Sequence, residues 1–188
     1  MIKKIILASG SPRRKQLLEW AEIDFDVVVS ETDESFDEGL SFPDIAIHIA
    51  RNKAIAVRKK MGIELPILAA DTIVVCNEKV IGKPLHREEA ISILRELSGT
   101  SHKVITGVVI LHENTEIAFA DTTTVIFHKL TDEQIIYYVD TYKPYDKAGA
   151  YAIQEWIGVT GIKSVEGDFY NVMGLPVSRV VKELKNIQ

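Results

Sequence analysis

The run Ile67-Leu68-Ala69-Ala70-Asp71-Thr72-Ile73-Val74-Val75-Cys76 is apolar on both sides of a single polar step. A strand with one wet face alternates apolar and polar residues, so a nearly continuous apolar run of this length belongs to a buried, central strand. That places a carboxylate, Asp71, inside the sheet. Burying it unpaired is expensive, so the fold must bring it a cation, a metal or good hydrogen-bond donors. One reading of Asp71 is a structural ion pair; the other is a functional acid, because perturbed acids cluster at sites.

The rest of the chain alternates strand and helix patterns, which points to an α/β architecture. Residues 5–8 and 25–29 read as short buried strands, and between them Ser11-Pro12 has the form of a cap with proline at the first helical position. A second helix is expected over 44–60, opened by Pro43 and closed by Gly62 and Pro66. Ala90, Ile93, Leu94 and Leu97 repeat at i, i+3, i+4, i+7, with Gly99 as the stop. Residues 103–111 and 116–127 read as a hairpin through His112-Glu113-Asn114-Thr115. Thr131-x-x-Gln134 has capping-box spacing, and Pro176 starts a last helix carrying Val177, Val180, Val181 and Leu184. This is more strand than a strict βαβ repeat needs, so the expected sheet is mixed and partly antiparallel, flanked by helices. With 188 residues and no repeat or linker, residues 1–188 read as one domain.

A net charge of −5 argues against a general nucleic-acid binder but leaves room for an anionic substrate held by a few basic residues. Cys76 is the only cysteine, which excludes an intrachain disulfide and a cysteine zinc cluster. Inside the apolar run it reads as a small hydrophobe rather than a nucleophile. The longest apolar run, Ile135 to Val139, is too short to span a bilayer, and Ile5-Ile6-Leu7-Ala8 is too short for a secretory core. A cytoplasmic protein without membrane association is the expectation.

Several segments carry candidate chemistry. In Leu7-Ala8-Ser9-Gly10-Ser11-Pro12-Arg13-Arg14 a strand ends, small residues turn the chain, and a helix starts with two arginines. Free amides at a helix start, the Ser9 and Ser11 hydroxyls and the guanidinium groups of Arg13 and Arg14 all donate to an anion. The segment serves equally well as a solvated turn whose arginines meet acidic side chains. Lys53 follows Ile49 by four positions and Ala50 by three, so it can share their inner face. Lys83 sits in the rigid Gly82-Lys83-Pro84, and Asp33-Glu34 follows a strand end. Singly each lysine reads as a surface charge; together these residues offer carboxylates for a divalent cation and lysines for phosphate. Gln154 ends the small, apolar stretch 147–154, either aimed into a pocket or satisfied as a core amide. Its one acceptor and two donors match the N3–H and O4 of uracil or thymine. The five histidines lack the spacing of a zinc site.

Taken in order, the segment 7–14, Ala70-Asp71-Thr72, Gly82-Lys83-Pro84, Ser98-Gly99 through His102-x-Val104, Lys147-Ala148-Gly149-Ala150-Tyr151-x-Ile153-Gln154 and Gly174-Leu175-Pro176 resemble the Maf-like nucleotide pyrophosphatases. The resemblance spans residues 5–178. It implies a cytoplasmic, metal-dependent hydrolase that cuts a nucleoside triphosphate into monophosphate and pyrophosphate. It also implies a fold related to the inosine-triphosphate pyrophosphatases, with two lobes and a central cleft. Asp71 falls on the family's proton acceptor, and Arg13, Thr72 and Gln154 on its specificity positions, with the identities of the branch acting on dTTP and UTP. Glu34, Lys53 and Lys83 match its other polar site positions. Glu34 does so by its spacing from the N-terminal motif, and Glu31 lies in the same acidic loop. Glu34 and Asp71 would hold Mg²⁺ or Mn²⁺. Glu155-Trp156-Ile157 departs from the family's glycine-rich continuation. The resemblance also admits a homodimer and a link to septum formation. The alternatives are a nucleotidyltransferase, whose loop is richer in glycine, and a non-catalytic regulator of cell division.

Overall fold

Three parallel strands open the fold in a computed structural model that describes residues 4–33, 35–36, 39–61 and 64–187. β1 (Ile5–Leu7) pairs with β2 (Phe25–Val27) on one side and β3 (Ile67–Cys76) on the other, with Leu7 opposite both Val27 and Leu68. α1 (Pro12–Trp20) lies between β1 and β2 in sequence, with Ser11 at its N-cap in an extended conformation. The Ser11 hydroxyl makes no capping bond; the Ser11 amide instead donates to Ser9 Oγ (3.3 Å). α2 (Phe42–Met61) starts two residues earlier than the sequence pattern places it. The reason is Ser41, whose hydroxyl accepts from the Asp44 amide and donates to the Asp44 carboxylate. Gly62, the expected terminator, lies outside the described residues.

β4 (Lys79–Ile81) folds back on β3 through Asn77 and Glu78, both in the left-handed region (φ 50° and 56°). α3 (Arg87–Leu97) is capped by His86, and β5 (Ser101–His112) and β6 (Thr115–Phe127) are joined at Glu113-Asn114. α4 (Asp132–Tyr142) carries the capping box that its sequence announces. The Thr131 amide donates to Gln134 Oε1 (2.9 Å), and the Gln134 amide to Thr131 Oγ1 (3.2 Å). α5 (Trp156–Gly161), β7 (Ile162–Glu166), α6 (Phe169–Met173) and α7 (Val177–Asn186) complete the chain, with Pro176 as the N-cap of α7. The strands pair in the order β2-β1-β3-β5-β6-β7, with β4 on β3. Parallel pairing around β1 and antiparallel pairing of β3 with β4 and of β6 with β7 make the sheet mixed.

The chain divides into two compact units. The first takes the described residues of Met1–Thr72, Thr106–Asp121 and Gly174–Gln188. Its core joins Ile6, Ala8 and Ile67 of the sheet region to Ala50, Ala54 and Val57 of α2. Burying aliphatic side chains of this kind contributes roughly 1.5–3 kcal/mol each for the larger ones. α2 reaches the sheet through Gly107 on β5: a Cβ there would stand 2.2 Å from the Ala46 carbonyl carbon, so only glycine permits the contact. The second unit takes Ile73–Ile105 and Thr122–Met173. There Val74, Val104 and Val125 form a core cluster, and α3 is tied to α4 by Arg87–Asp140 (2.6 Å) and Arg95–Asp132 (2.9 Å). Among the described residues no helix is long and apolar enough to cross a membrane.

Candidate functional site

In the first unit β1 stops at Leu7, opposite Leu68, and residues 8–11 turn the chain into α1. β3 runs on past that end, and Asp71 and Thr72 are its only residues that are not fully buried. Because β1 and β2 are parallel, the segments that follow them leave the same edge of the sheet. This is the carboxyl edge, where open α/β sheets bind ligands. Ser9 and Gly10 from one segment and Ser30, Glu31 and Thr32 from the other line a pocket of about 280 Å³, with Lys53 in its wall.

Lys53 is delivered by the same contact that seats α2. Ala46, resting against Gly107, Ala50 and Lys53 lie at i, i+4 and i+7, on one face of the helix. From there Lys53 Nζ comes within 2.6 Å of Asp71 Oδ1, with 17% of the lysine and 14% of the aspartate side chain exposed. This is the cation that the carboxylate in β3 demands. A pair this far from water stabilises a fold little, since desolvation offsets the attraction and apolar residues of equal volume would serve as well or better. Fold stability therefore gives little account of it.

Arg14 is buried, and its guanidinium is engaged on three sides. Nε donates to the Gly174 carbonyl (2.8 Å), Nη1 to Ser9 Oγ (3.1 Å) and Nη2 to Thr72 Oγ1 (3.0 Å). One side chain thus ties the turn after β1, the polar step in β3 and the bend before α7. Gly174 holds that bend at φ 118°, in the region that favours glycine. Thr72 is further hydrogen-bonded to Thr106, hydroxyl to hydroxyl, at 2.9 Å. Arg13 and Ser11 are half-buried beside this network. Glu31 lines the pocket, whereas Glu34 lies outside the described residues.

The remaining candidates belong to the second unit. Lys83 is exposed, while its neighbour Pro84 is buried. The Gly82 carbonyl accepts from the Gly149 amide (3.2 Å), which sets the Lys83 turn against the segment 147–154. Gln154 is exposed, so it is not a core amide. Cys76 is buried, and burial pushes its thiol up from the ordinary range, consistent with a packing role. His102 stacks on Phe127 and shares a 2.7 Å hydrogen bond with the Tyr151 hydroxyl. Its Nδ1 has no partner, and burial pushes its pKa down to about 4.

Thr106 and the Gly174 carbonyl complete the Arg14 network, and sequence reasoning gave neither a role. Thr106 carried a usable signal: it interrupts the apolar run of β5 as Asp71 interrupts β3. For a divalent cation, no three histidine, cysteine, aspartate or glutamate side chains among the described residues gather as a metal site. Asp71 still supplies the hard oxygen that Mg²⁺ or Mn²⁺ prefers. Such ions keep several waters and bind through one or two carboxylates plus substrate phosphates, so the donor chemistry fits.

Residues 4–187 match the profile of a family described as Maf-like protein. A dTTP/UTP pyrophosphatase of Parabacteroides distasonis is 50% identical over 184 residues, covering 97% of this chain and 95% of its own. A dTTP/UTP pyrophosphatase of Cytophaga hutchinsonii is 50% identical over 183 residues, covering 97% of this chain and 84% of its own. Among solved structures, a HAM1 protein from Coxiella burnetii is 18% identical with a TM-score of 0.45, covering 66% of this chain and 73% of that one.

Proposed function

We propose, from the premise that this chain belongs to the Maf-like protein family, that it is a hydrolase converting dTTP and UTP to the nucleoside monophosphate and pyrophosphate. The observation that carries the chemistry is the Lys53–Asp71 pair, 2.6 Å apart, whose lysine lines a pocket built by the turn after β1. In this reading Asp71 orients a water molecule and takes its proton as the oxygen attacks the α-phosphorus. The bond from that phosphorus to the bridging oxygen breaks, and pyrophosphate departs with the bond's electrons. Lys53 donates to Oδ1, which fixes the carboxylate plane and leaves Oδ2 for the water.

Ser9, Ser11, Gly10 and the start of α1 offer hydroxyls and backbone amides to the phosphates, with Arg13 beside them. Arg14 holds that turn in shape through Ser9 and Thr72. Lys83 offsets phosphate charge, Glu34 assists with the cation, and Gln154 reads the pyrimidine through the paired donor and acceptor of its carboxamide. A divalent cation, when bound, would screen the triphosphate and stabilise the leaving pyrophosphate; Asp71 and Glu34 are its ligands in this proposal. We further propose a cytoplasmic enzyme, active as a homodimer, that needs no nucleic acid. Its cellular tasks would be cleansing of the nucleotide pool or a part in septum formation.

The test is pyrophosphate release from dTTP, UTP, CTP and the purine triphosphates, each with Mg²⁺ and with Mn²⁺. Asp71→Asn should lower kcat about 10²–10⁴-fold while leaving the circular dichroism spectrum unchanged. Full activity in that variant would remove Asp71 from the chemistry.

A further inference from the structure

Gln154 sits in a turn held by neighbours from the second unit. It is the third residue of a turn closed by the Glu155 amide on the Ala152 carbonyl (3.1 Å). Three contacts within the second unit fix that turn. The hydroxyl of Tyr138, a fully buried residue of α4, accepts from the Ala152 amide (3.2 Å) and donates to Glu155 Oε2. Glu155 Oε1 stands 3.6 Å from the buried ammonium of Lys147, whose closer partner is Asp146 at 2.7 Å. Finally, the first turn of α5 lies against the turn's backbone: a Cβ on Gly158 would fall 1.7 Å from the Ile153 carbonyl oxygen.

The outcome is a sharp division between adjacent side chains. Glu155 is extended (φ −93°, ψ 178°) and turns its carboxylate inward to Tyr138 and Lys147. Gln154, one residue earlier, is exposed. Glu155 closes the turn on the Ala152 carbonyl, so holding its carboxylate inward fixes the turn backbone from which Gln154 projects. Glu155 makes no capping bond to α5, so helix capping does not explain its presence. Glu155 is half-buried, and its carboxylate is spent on Tyr138 and Lys147 rather than on solvent.

We infer that Glu155, clamped by Tyr138 and Lys147, is a positioning residue for Gln154 and thereby sets discrimination among pyrimidine bases without touching the nucleotide. The inference rests on the reading above in which Gln154 meets the base edge. UTP and CTP are the probes, because they differ only at that edge: N3–H and O4 in uracil, N3 and N4–H₂ in cytosine.

The measurement is the ratio of kcat/KM for UTP to that for CTP in Gln154→Ala, Glu155→Ala, Glu155→Gln, Tyr138→Phe and the double variant Gln154→Ala/Glu155→Ala. Glu155→Ala should lower the ratio about tenfold, through KM for UTP with kcat retained. Glu155→Gln should recover part of it, since its amide oxygen still accepts from Tyr138. Tyr138→Phe, which preserves volume, should move the ratio the same way and decides the matter if Glu155→Ala does not fold. In the Gln154→Ala background the second substitution should add nothing to the ratio. A parallel loss for both nucleotides, or an unchanged ratio in Glu155→Ala beside a collapsed one in Gln154→Ala, overturns the positioning role. A further drop in the double variant does so too. An unchanged ratio in Gln154→Ala itself overturns the base-reading role of Gln154, and the inference with it.

Discussion

Lowering the pH from about 7 to about 5 should destabilise this protein through His102 alone by roughly 2 kcal/mol. The imidazole is 2% exposed, stacked on Phe127 and bonded through Nε2 to Tyr151, while Nδ1 faces no acceptor. Protonating it would place a charge and an unsatisfied N–H in an apolar site, so its pKa falls from 6.5 to about 4. In the unfolded chain the ring takes its proton near the ordinary value. Between those two values the unfolded state binds more protons than the folded one, so stability falls as the pH falls and levels off below the folded pKa. The full difference amounts to about 3 kcal/mol at the acid limit, most of it lost by about pH 5. Urea titrations at several pH values would read this as a midpoint about 1 M lower at the acid end, for a slope near 2 kcal/mol/M. His102→Gln keeps a partner for Tyr151 and cannot titrate, so subtracting its pH profile isolates the histidine from the surface carboxylates. Parallel profiles for the two proteins would refute the argument.

Two more outcomes follow from burial. Arg14→Ala leaves the Gly174 carbonyl, Ser9 and Thr72 without their shared donor and should cost about 3 kcal/mol in urea unfolding, whereas a loss under about 1 kcal/mol would mean that water replaces the guanidinium freely. Cys76, buried in β3 with its thiol pushed up, should not react with a thiol reagent in the native protein and should react fully once urea unfolds it.

Much of the fold was legible because its signals are local. The apolar run predicts β3 to the residue, the Thr131–Gln134 spacing predicts the cap of α4, and the i, i+3, i+4, i+7 pattern predicts α3. β4 and β7 were not legible. Lys79–Ile81 and Ile162–Glu166 are short and mix charged with apolar residues, unlike the apolar Ile5–Leu7, so no pattern separates strand from loop, and pairing with a long neighbour creates them. The site divides along the same line. Asp71 was visible as a charge in an apolar run, and Lys53 as a lysine on an inner helix face. Tyr138 carried no signal and Glu155 only its departure from the glycine-rich pattern, because their meeting depends on how α4 and the turn before α5 pack.

By itself, then, the sequence determined the α/β class, the central strand and the need of Asp71 for a partner, since periodicity, caps and the cost of a buried charge act within a few residues of chain. The tertiary structure alone decided that the partner is Lys53, that Arg14 turns inward to Gly174 and Thr72, and that Glu155 faces Tyr138. Those choices follow from close approaches between distant segments, such as α2 on Gly107 and α5 on the Ile153 carbonyl. A pattern of residue types cannot encode such contacts, because side-chain partners are set by backbone positions that only packing fixes.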